Sequence, residues 1–375
     1  MADPLFHDPN LDAVRETLLA AERVVVTSHI RPDGDAIGSE LGVALFLQKL
    51  GKTVNVLNAD PEPRTLGWLA DPYRGNLLQV YQEGHLPHAE AFAHADAVLV
   101  VDTNTLHRLG TTAAPTKSAL ATKLLLDHHL DPERWFDVAC TRTDASATGE
   151  LVYSLIAGHD PDLIDTAIAT ALYAAIMTDT GSFRYGATTP RTHAVVADLL
   201  DRGDLSPEPI HIAINDGRSR EGLRLLSRSL DTIATHYGGR LATMYVSSAM
   251  LRETGAFSDE MEGLVQYALS LDGVLAAVIL LELAGGVKAS FRSKGDCAVN
   301  GWAGRFGGGG HANASGAFMK GITLTRALKE VVDQAPPHLV LDPSAPTEES
   351  DDAALSADDL ALLTQFQGSI DKRSR

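Results

Sequence analysis

The sequence predicts an α/β protein of two domains: an N-terminal, mainly parallel sheet with helices on both faces, joined by a helical linker to a smaller mixed α/β C-terminal domain. Two observations predict it. Short apolar, partly β-branched runs alternate with helix-period segments through the first half of the chain, the pattern of a parallel sheet buried on both faces. A second alternation begins near residue 241, after a polar helical stretch broken at Gly203-Asp204 and Gly238-Gly239. At 375 residues and 45% hydrophobic composition, the chain is long enough for two separate cores.

Each element follows from its local pattern. Strands are expected at 24–28, 53–57, 97–102, 123–127 and 136–141. Ile37, Leu41, Ala44 and Leu45 share one face of a helix expected over 37–50, and two more helices are expected at 146–157 and 163–177. These place the first domain at 1–190 and the helical linker at 191–240. The second domain, 241–335, should hold a strand at 241–246, a helix at 259–271 and a hairpin of 274–282 with 287–292. A helix at 298–306, a glycine run at 307–310, a strand at 315–319 and a helix at 323–334 complete it. From 336 to 375 the chain is Pro-rich and acidic, a tail expected to be partly disordered apart from an amphipathic segment near 355–366. No internal repeat is found.

Composition limits the partners. The formal charge of −18 disfavours a protein that tracks a long polyanion, since such proteins carry a basic face to displace counterions. Long duplex nucleic acid is therefore excluded, whereas a small phosphorylated ligand is compatible. No stretch approaches the roughly 20 apolar residues of a membrane span, so no membrane partner is expected. The opening Met-Ala-Asp-Pro lacks a basic region and an apolar signal core. Cys140 and Cys297 are too few for a disulfide framework and form no Cys-x-x-Cys pair, so a cytoplasmic location is expected.

The chemistry gathers where strands and helices end. The first strand runs into Ser28-His29-Ile30-Arg31-Pro32-Asp33-Gly34-Asp35, which packs an imidazole and two carboxylates into one turn before a helix. Such carboxylates repel one another unless a cation neutralises them. Gly34 is expected to let this turn close tightly. Asp102 follows Val98-Leu99-Val100-Val101, Asp127-His128-His129 follows Leu124-Leu125-Leu126, and Asp179 follows Met177-Thr178 at a helix end. One aspartate at a strand end is ordinarily a turn or cap residue. This many carboxylates and imidazoles, all at the ligand-binding edge of one sheet, point instead to a transition-metal site.

The set His29-x-x-x-Asp33-x-Asp35, Asp102, Asp127-His128-His129 and Asp179-Thr180-Gly181 resembles, in order and spacing, the four motifs of the DHH phosphoesterase superfamily. Gly307-Gly308-Gly309-Gly310-His311 followed by Asn313-Ala314-Ser315-Gly316 resembles the glycine-histidine signature of the DHH-associated C-terminal domain. The resemblance covers about residues 15–335 and is strongest to the bacterial group of nanoRNases (oligoribonucleases) and pAp phosphatases. The stretches Gly181-Ser182-Phe183-Arg184-Tyr185 and Thr189-Pro190-Arg191-Thr192 also look like that group; the acidic tail is not part of the pattern.

The resemblance implies two divalent cations per chain, Mn²⁺ first and Mg²⁺, Co²⁺ or Fe²⁺ as substitutes. One would be held by His29, Asp33 and Asp102, the other by Asp35, Asp102, His128 and Asp179, with Asp102 bridging as the central catalytic carboxylate. Asp127 would orient the histidines. His129 is expected to contact the phosphate or protonate the leaving oxygen, as a catalytic and substrate-binding residue. In the second domain, Arg292, His311 and the backbone of Gly308, Gly309 and Gly310 are expected to grip a phosphate, with Arg184 assisting. Phe183 and Tyr185 are candidates to stack a base. The active site is expected in the cleft between the domains.

The implied reaction is hydrolysis of short single-stranded RNA from the 3′ end, or removal of the 3′-phosphate of pAp, by a metal-activated water. Substrates of this kind include pAp and pApA, and a homodimer is an admissible assembly. The same metal core would serve a phosphodiesterase of cyclic dinucleotides or of linear pApA, or a manganese-type pyrophosphatase. A non-catalytic nucleotide sensor is disfavoured because no ligand aspartate is missing.

Overall fold

The computed structural model describes residues 3–261 and 263–340. They form two compact units that divide between Gly217 and Arg218. Most of the acidic tail expected from residue 336, with its amphipathic segment near 355–366, lies outside the described residues. No helix among the described residues is long and apolar enough to cross a membrane.

The first unit is built on strands β1 (Arg23–Thr27), β2 (Thr53–Asn58), β3 (Leu78–Val80), β4 (Ala97–Val101), β5 (Thr122–Asp127) and β6 (Val138–Thr141). They pair in the order β3-β2-β1-β4-β5-β6, every pair parallel. The order reverses between β1 and β4, and ligands of such sheets bind at that point, outside the carboxyl ends of the strands. Alternate strand residues serve the two faces of the sheet. Val24, Val26, Leu99, Val101 and Leu126 face the main core, whereas Val25 and Val98 pack with Phe92, and Val100 with Leu109. Burial of both faces is why β4 reads as five consecutive apolar residues.

Two helices, Gly34–Lys49 and Thr166–Asp179, pack closely on the main face. Glycines allow it. A Cβ on Gly38 would lie 2.3 Å from the carbonyl oxygen of Ala171, and one on Gly42 would lie 2.6 Å from Leu172 Cδ2. Gly34 belongs to the same seam. It opens the helix, and a Cβ there would lie 2.3 Å from Thr178 Oγ1. The expected role of Gly34 in a sharp turn is thus corrected to close helix packing; the left-handed turn residue is Arg31, with φ +52°.

Several elements were not expected from the sequence, among them a first helix and an edge strand. The helix Pro9–Ala20, capped by Asp8, buries only Leu11, Val14 and Leu18, and β3 is a three-residue edge strand. The stretch 191–240 contains most of helix Pro190–Gly203, then Pro207–Asn215 in the first unit and Arg220–Leu230 in the second.

The second unit has strands β7 (Ala234–His236), β8 (Leu241–Val246), β9 (Ala276–Leu283), β10 (Gly286–Ser293), β11 (Gly309–His311) and β12 (Ala314–Lys320). Their order is β11-β12-β10-β9-β8-β7, parallel at β8–β9 and antiparallel elsewhere. Val278, Leu280, Val287 and Phe291 face one core, and Ala277, Ile279 and Leu281 face the other. The helix expected over 259–271 is shorter, Val265–Leu269 after a 3₁₀ turn at Ser258–Met261, because Gly263 adopts φ +78° between them. The glycine run contributes edge strand β11. A Cβ on Gly308 would lie 2.1 Å from the Gly316 carbonyl oxygen, so the run lets two backbones approach closely.

Candidate metal centre

Three adjacent strands of the first sheet deliver the polar cluster to the switch point. His29 lies just beyond β1, Asp102 just beyond β4, and Asp127 ends β5 with His128 and His129 following. Two helices add the rest. Asp33 caps the Gly34–Lys49 helix, Asp35 lies in its first turn, and Asp179 is the last residue of Thr166–Asp179. Each helix points one end at the same edge of the sheet.

Asp102 is the hub. Its backbone is left-handed, φ +56°, a conformation that costs a non-glycine residue on the order of 1–3 kcal/mol. The turn aims the two carboxylate oxygens at different partners: Oδ2 lies 3.4 Å from His29 Nε2 and Oδ1 lies 3.5 Å from His128 Nε2. Around Oδ2, Asp33 Oδ2 is 3.7 Å from the same His29 nitrogen. Around Oδ1, His128 Nε2 is also 3.7 Å from Asp35 Oδ2 and 3.3 Å from Asp179 Oδ2. Groups that could hold an ion form on both sides, His29–Asp33–Asp102 and Asp35–Asp102–His128, with Asp102–Asp127–His129 beside them, and within each the ligand atoms lie within 4.8 Å of one another.

Neighbouring groups fix the orientation of these side chains. His29 Nδ1 lies 2.9 Å from the Ile30 carbonyl and His128 Nδ1 lies 3.3 Å from the Ala145 carbonyl. A carbonyl only accepts, so Nδ1 carries a proton in both rings and Nε2 is the atom turned towards the carboxylates. Asp35 accepts from the backbone N–H of Thr148 at 2.6 Å and of Gly149 at 2.9 Å, and from Ser39 Oγ at 3.0 Å. Helix Thr148–Ala157 thus turns its positive end towards Asp35. Thr148 Oγ1 donates to Asp102 Oδ1 at 3.1 Å. Thr148 and Ser39 escaped the sequence reading; their only signal was a small polar residue near the start of an apolar helix.

The electrostatics describe a site short of positive charge. Burial, then repulsion from Asp102, Asp179 and Asp33, holds the Asp35 carboxyl well above its ordinary range. Burial likewise pushes Asp179 up to about 7, with His128 opposing and Asp33 and Asp102 adding to the shift. Burial would also raise Asp102, but its hydrogen bond with His29 and the charges of the nearby imidazoles outweigh it and leave Asp102 depressed. For His29, burial opposes protonation, yet Asp102 and Asp33 push it up to about 10. Excess buried carboxylate beside imidazole nitrogens fits divalent transition-metal cations.

His129 is held differently. Its Nδ1 lies 2.8 Å from Asp127 Oδ1, and its backbone N–H donates to Asp127 Oδ2 at 3.2 Å. Asp127 therefore orients His129 alone, whereas His128 is oriented by the Ala145 carbonyl; the expectation that it serves both histidines is corrected. Arg108, absent from the sequence reading, opposes protonation of His129 with its charge.

Comparison with known proteins agrees with this geometry. The DHH family, N-terminal domain, matches residues 23–176, and the DHHA1 domain matches 238–335. The bifunctional oligoribonuclease and PAP phosphatase NrnA of Thermus thermophilus is 31% identical over 328 residues, which cover 85% of this chain and 91% of that protein. The chain belongs to the DHH family of phosphoesterases. The NrnA of Bacillus subtilis is 27% identical over 306 residues, covering 81% of this chain and 91% of that one. A crystal structure of an exopolyphosphatase-related protein from Bacteroides fragilis superposes with a TM-score of 0.81 at 27% identity, covering 88% and 97% of the two chains. Membership makes the chain a metal-dependent hydrolase.

In the DHHA1 domain, Arg292 on β10 and His311 on β11 both pair in register with Ala314 of β12. They lie in one row, two strands apart, on one face of the sheet. The glycines divide their work. Gly308 donates its N–H to the Ala303 carbonyl at 3.0 Å and Gly310 has φ +137°, while Gly309 faces open space. The expectation that Gly308 offers its amide to a phosphate is therefore corrected, because that amide is spent within the fold. In the DHH domain, Phe183 packs against Tyr173 and His193 rather than standing free to stack a base. Tyr185 lies over Gly181, and exposed Arg184 donates from Nε to the Gly181 carbonyl at 2.7 Å.

Proposed function

We propose that this DHH phosphoesterase hydrolyses short single-stranded oligoribonucleotides from the 3′ end and removes the 3′-phosphate of pAp. The observation that carries the reading is Asp102, whose two oxygens face two separate sets of nitrogen and oxygen ligands. The relatives named NrnA, similar over most of the chain, support the choice of substrate. His29, Asp33 and Asp102 would hold one divalent cation, and Asp35, Asp102, His128 and Asp179 the other, with Mn²⁺ suited to the mixed donor set. When bound, such a pair supplies an activated water and neutralises charge on the attacked phosphate.

The remaining chemistry belongs to side chains. His129, pinned through Nδ1 by Asp127, would hydrogen-bond a phosphate oxygen and give a proton to the departing oxygen. Arg292 and His311 hold a substrate phosphate on the DHHA1 sheet. Residues 1–190 carry catalysis in this reading and 241–335 carry binding. Cys140 and Cys297, both buried and not joined in a disulfide, are consistent with a cytoplasmic protein.

The test is a panel of pAp, pApA, cyclic di-AMP, pyrophosphate and RNAs of increasing length, assayed with Mn²⁺. Highest kcat/KM on the short RNAs and pAp supports the reading. Preference for cyclic di-AMP or pyrophosphate replaces it with another reaction of the same metal core.

A further inference from the structure

The DHHA1 sheet continues beyond the phosphate row. Strands β10 and β12 alternate cleanly: Val287, Ala289, Phe291, Ala317 and Met319 point into one core, and the residues between them point to the opposite face, where Ala277, Ile279 and Leu281 of neighbouring β9 meet the other core. On the outward face the register sets up three rows. The first is Arg292–Ala314–His311, the second Ser290–Gly316–Gly309, and the third Lys288–Phe318. Cross-strand partners project from the same side, so the rows form one strip.

The strip has a shape and a charge. Its middle row carries no side chain larger than serine, which leaves a floor of bare backbone. Phe318, at the far end, is 45% exposed. Its ring leans over Gly286, where a Cβ would lie 3.0 Å from Phe318 Cζ, so the missing side chain at that one position makes room for the ring. Strands β10, β11 and β12 carry Lys288, Arg292 and Lys320 and no Asp or Glu, in a chain of net charge −18. Four residues of strand separate the Arg292 row from the Phe318 row, about 13 Å. That is longer than one nucleotide from phosphate to base.

We infer that Phe318 is a base-stacking platform for RNAs that run past the phosphate clamp, and that it sets how well this enzyme takes substrates longer than a dinucleotide. The inference rests on the hydrolase reading above and deepens it. Short substrates such as pAp and pApA end at Arg292 and His311. In a longer RNA the clamped phosphate is internal, the backbone crosses the glycine floor, and a base beyond it stacks on Phe318. Stacking accepts any base, so the subsite measures length and not sequence.

The experiment compares wild type, Phe318→Ala and Phe318→Trp on pApA and on a five-nucleotide RNA. It reads kcat/KM with Mn²⁺ and, separately, equilibrium binding of the labelled RNA under chelation, where no turnover occurs. Phe318→Ala should lose roughly 5- to 150-fold in kcat/KM and in affinity on the longer RNA, the range for loss of one base stack. pApA should be unaffected, and Phe318→Trp should retain the wild-type length preference. Equal effects on both RNAs, or none on the longer one, would overturn the platform. If the wild type cleaves no RNA but Phe318→Ala still weakens binding of the longer RNA alone, the platform stands and the hydrolase reading falls.

Discussion

Asp127→Asn isolates the work of His129 from the work of the metals. Asp127 is fully buried, and both its oxygens serve one residue: Oδ1 meets His129 Nδ1 at 2.8 Å, and Oδ2 accepts the His129 backbone N–H at 3.2 Å. Asparagine keeps one accepting oxygen and turns an NH₂ towards a donor. One hydrogen bond to a charged group is therefore lost, worth about 1.5–3 kcal/mol, or roughly 10- to 150-fold in kcat/KM. The pH profile should change as well. Burial lowers the pKa of His129, while the hydrogen bond to Asp127 and the charges of Asp102 and Asp127 hold it above the ordinary histidine value. A proton donor works below its pKa and fails as pH rises through it. Removing the Asp127 charge lowers that pKa, so the basic limb of the profile should move to lower pH. Steady-state kinetics across pH, with metal content by elemental analysis, make the assay. An unmoved basic limb, or metal loss in Asp127→Asn, would refute the separation of His129 from the metal ligands.

Three further outcomes follow from the same geometry. Asp102→Ala should abolish turnover and reduce metal occupancy by elemental analysis while circular dichroism shows a folded chain; two retained ions would sink the bridging assignment. Arg292→Ala should lower kcat/KM roughly 10- to 150-fold on pApA, the value of a charge-assisted hydrogen bond, and leave bis-p-nitrophenyl phosphate nearly untouched. An equal fall on both substrates would make Arg292 a support of the fold. Gly38→Ala places a Cβ 2.3 Å from the Ala171 carbonyl oxygen and should destabilise the chain by about 1–3 kcal/mol in urea unfolding. An unchanged midpoint would mean that the helix seam can open freely.

Much of this molecule was legible before any coordinates. Strand positions and the order of the chemistry-bearing residues are local properties: an apolar β-branched run announces a buried strand, and an aspartate or histidine directly after it must emerge at the sheet's carboxyl edge. His29, Asp33, Asp35, Asp102, Asp127, His128, His129 and Asp179 were all named from that pattern, and the structure gathers them at one switch point. Where a residue's role depends on what lies across from it, the sequence was silent or misleading. Gly34 looked like a turn residue because only the packed Thr166–Asp179 helix shows what its missing side chain avoids. Phe183 was open between a core role and base stacking until the structure packed it against the core, while Phe318 drew no notice until register set it beside Lys288 in line with the Arg292 row. The helix at 259–271 was overextended because period alone does not reveal that Gly263 takes a left-handed φ. Asp102 shows the division most plainly. Its place after β4 is written in the sequence, but the left-handed backbone that sets its two oxygens beside His29 and His128 joins residues 73 and 26 positions away in the chain, through contacts no local pattern encodes.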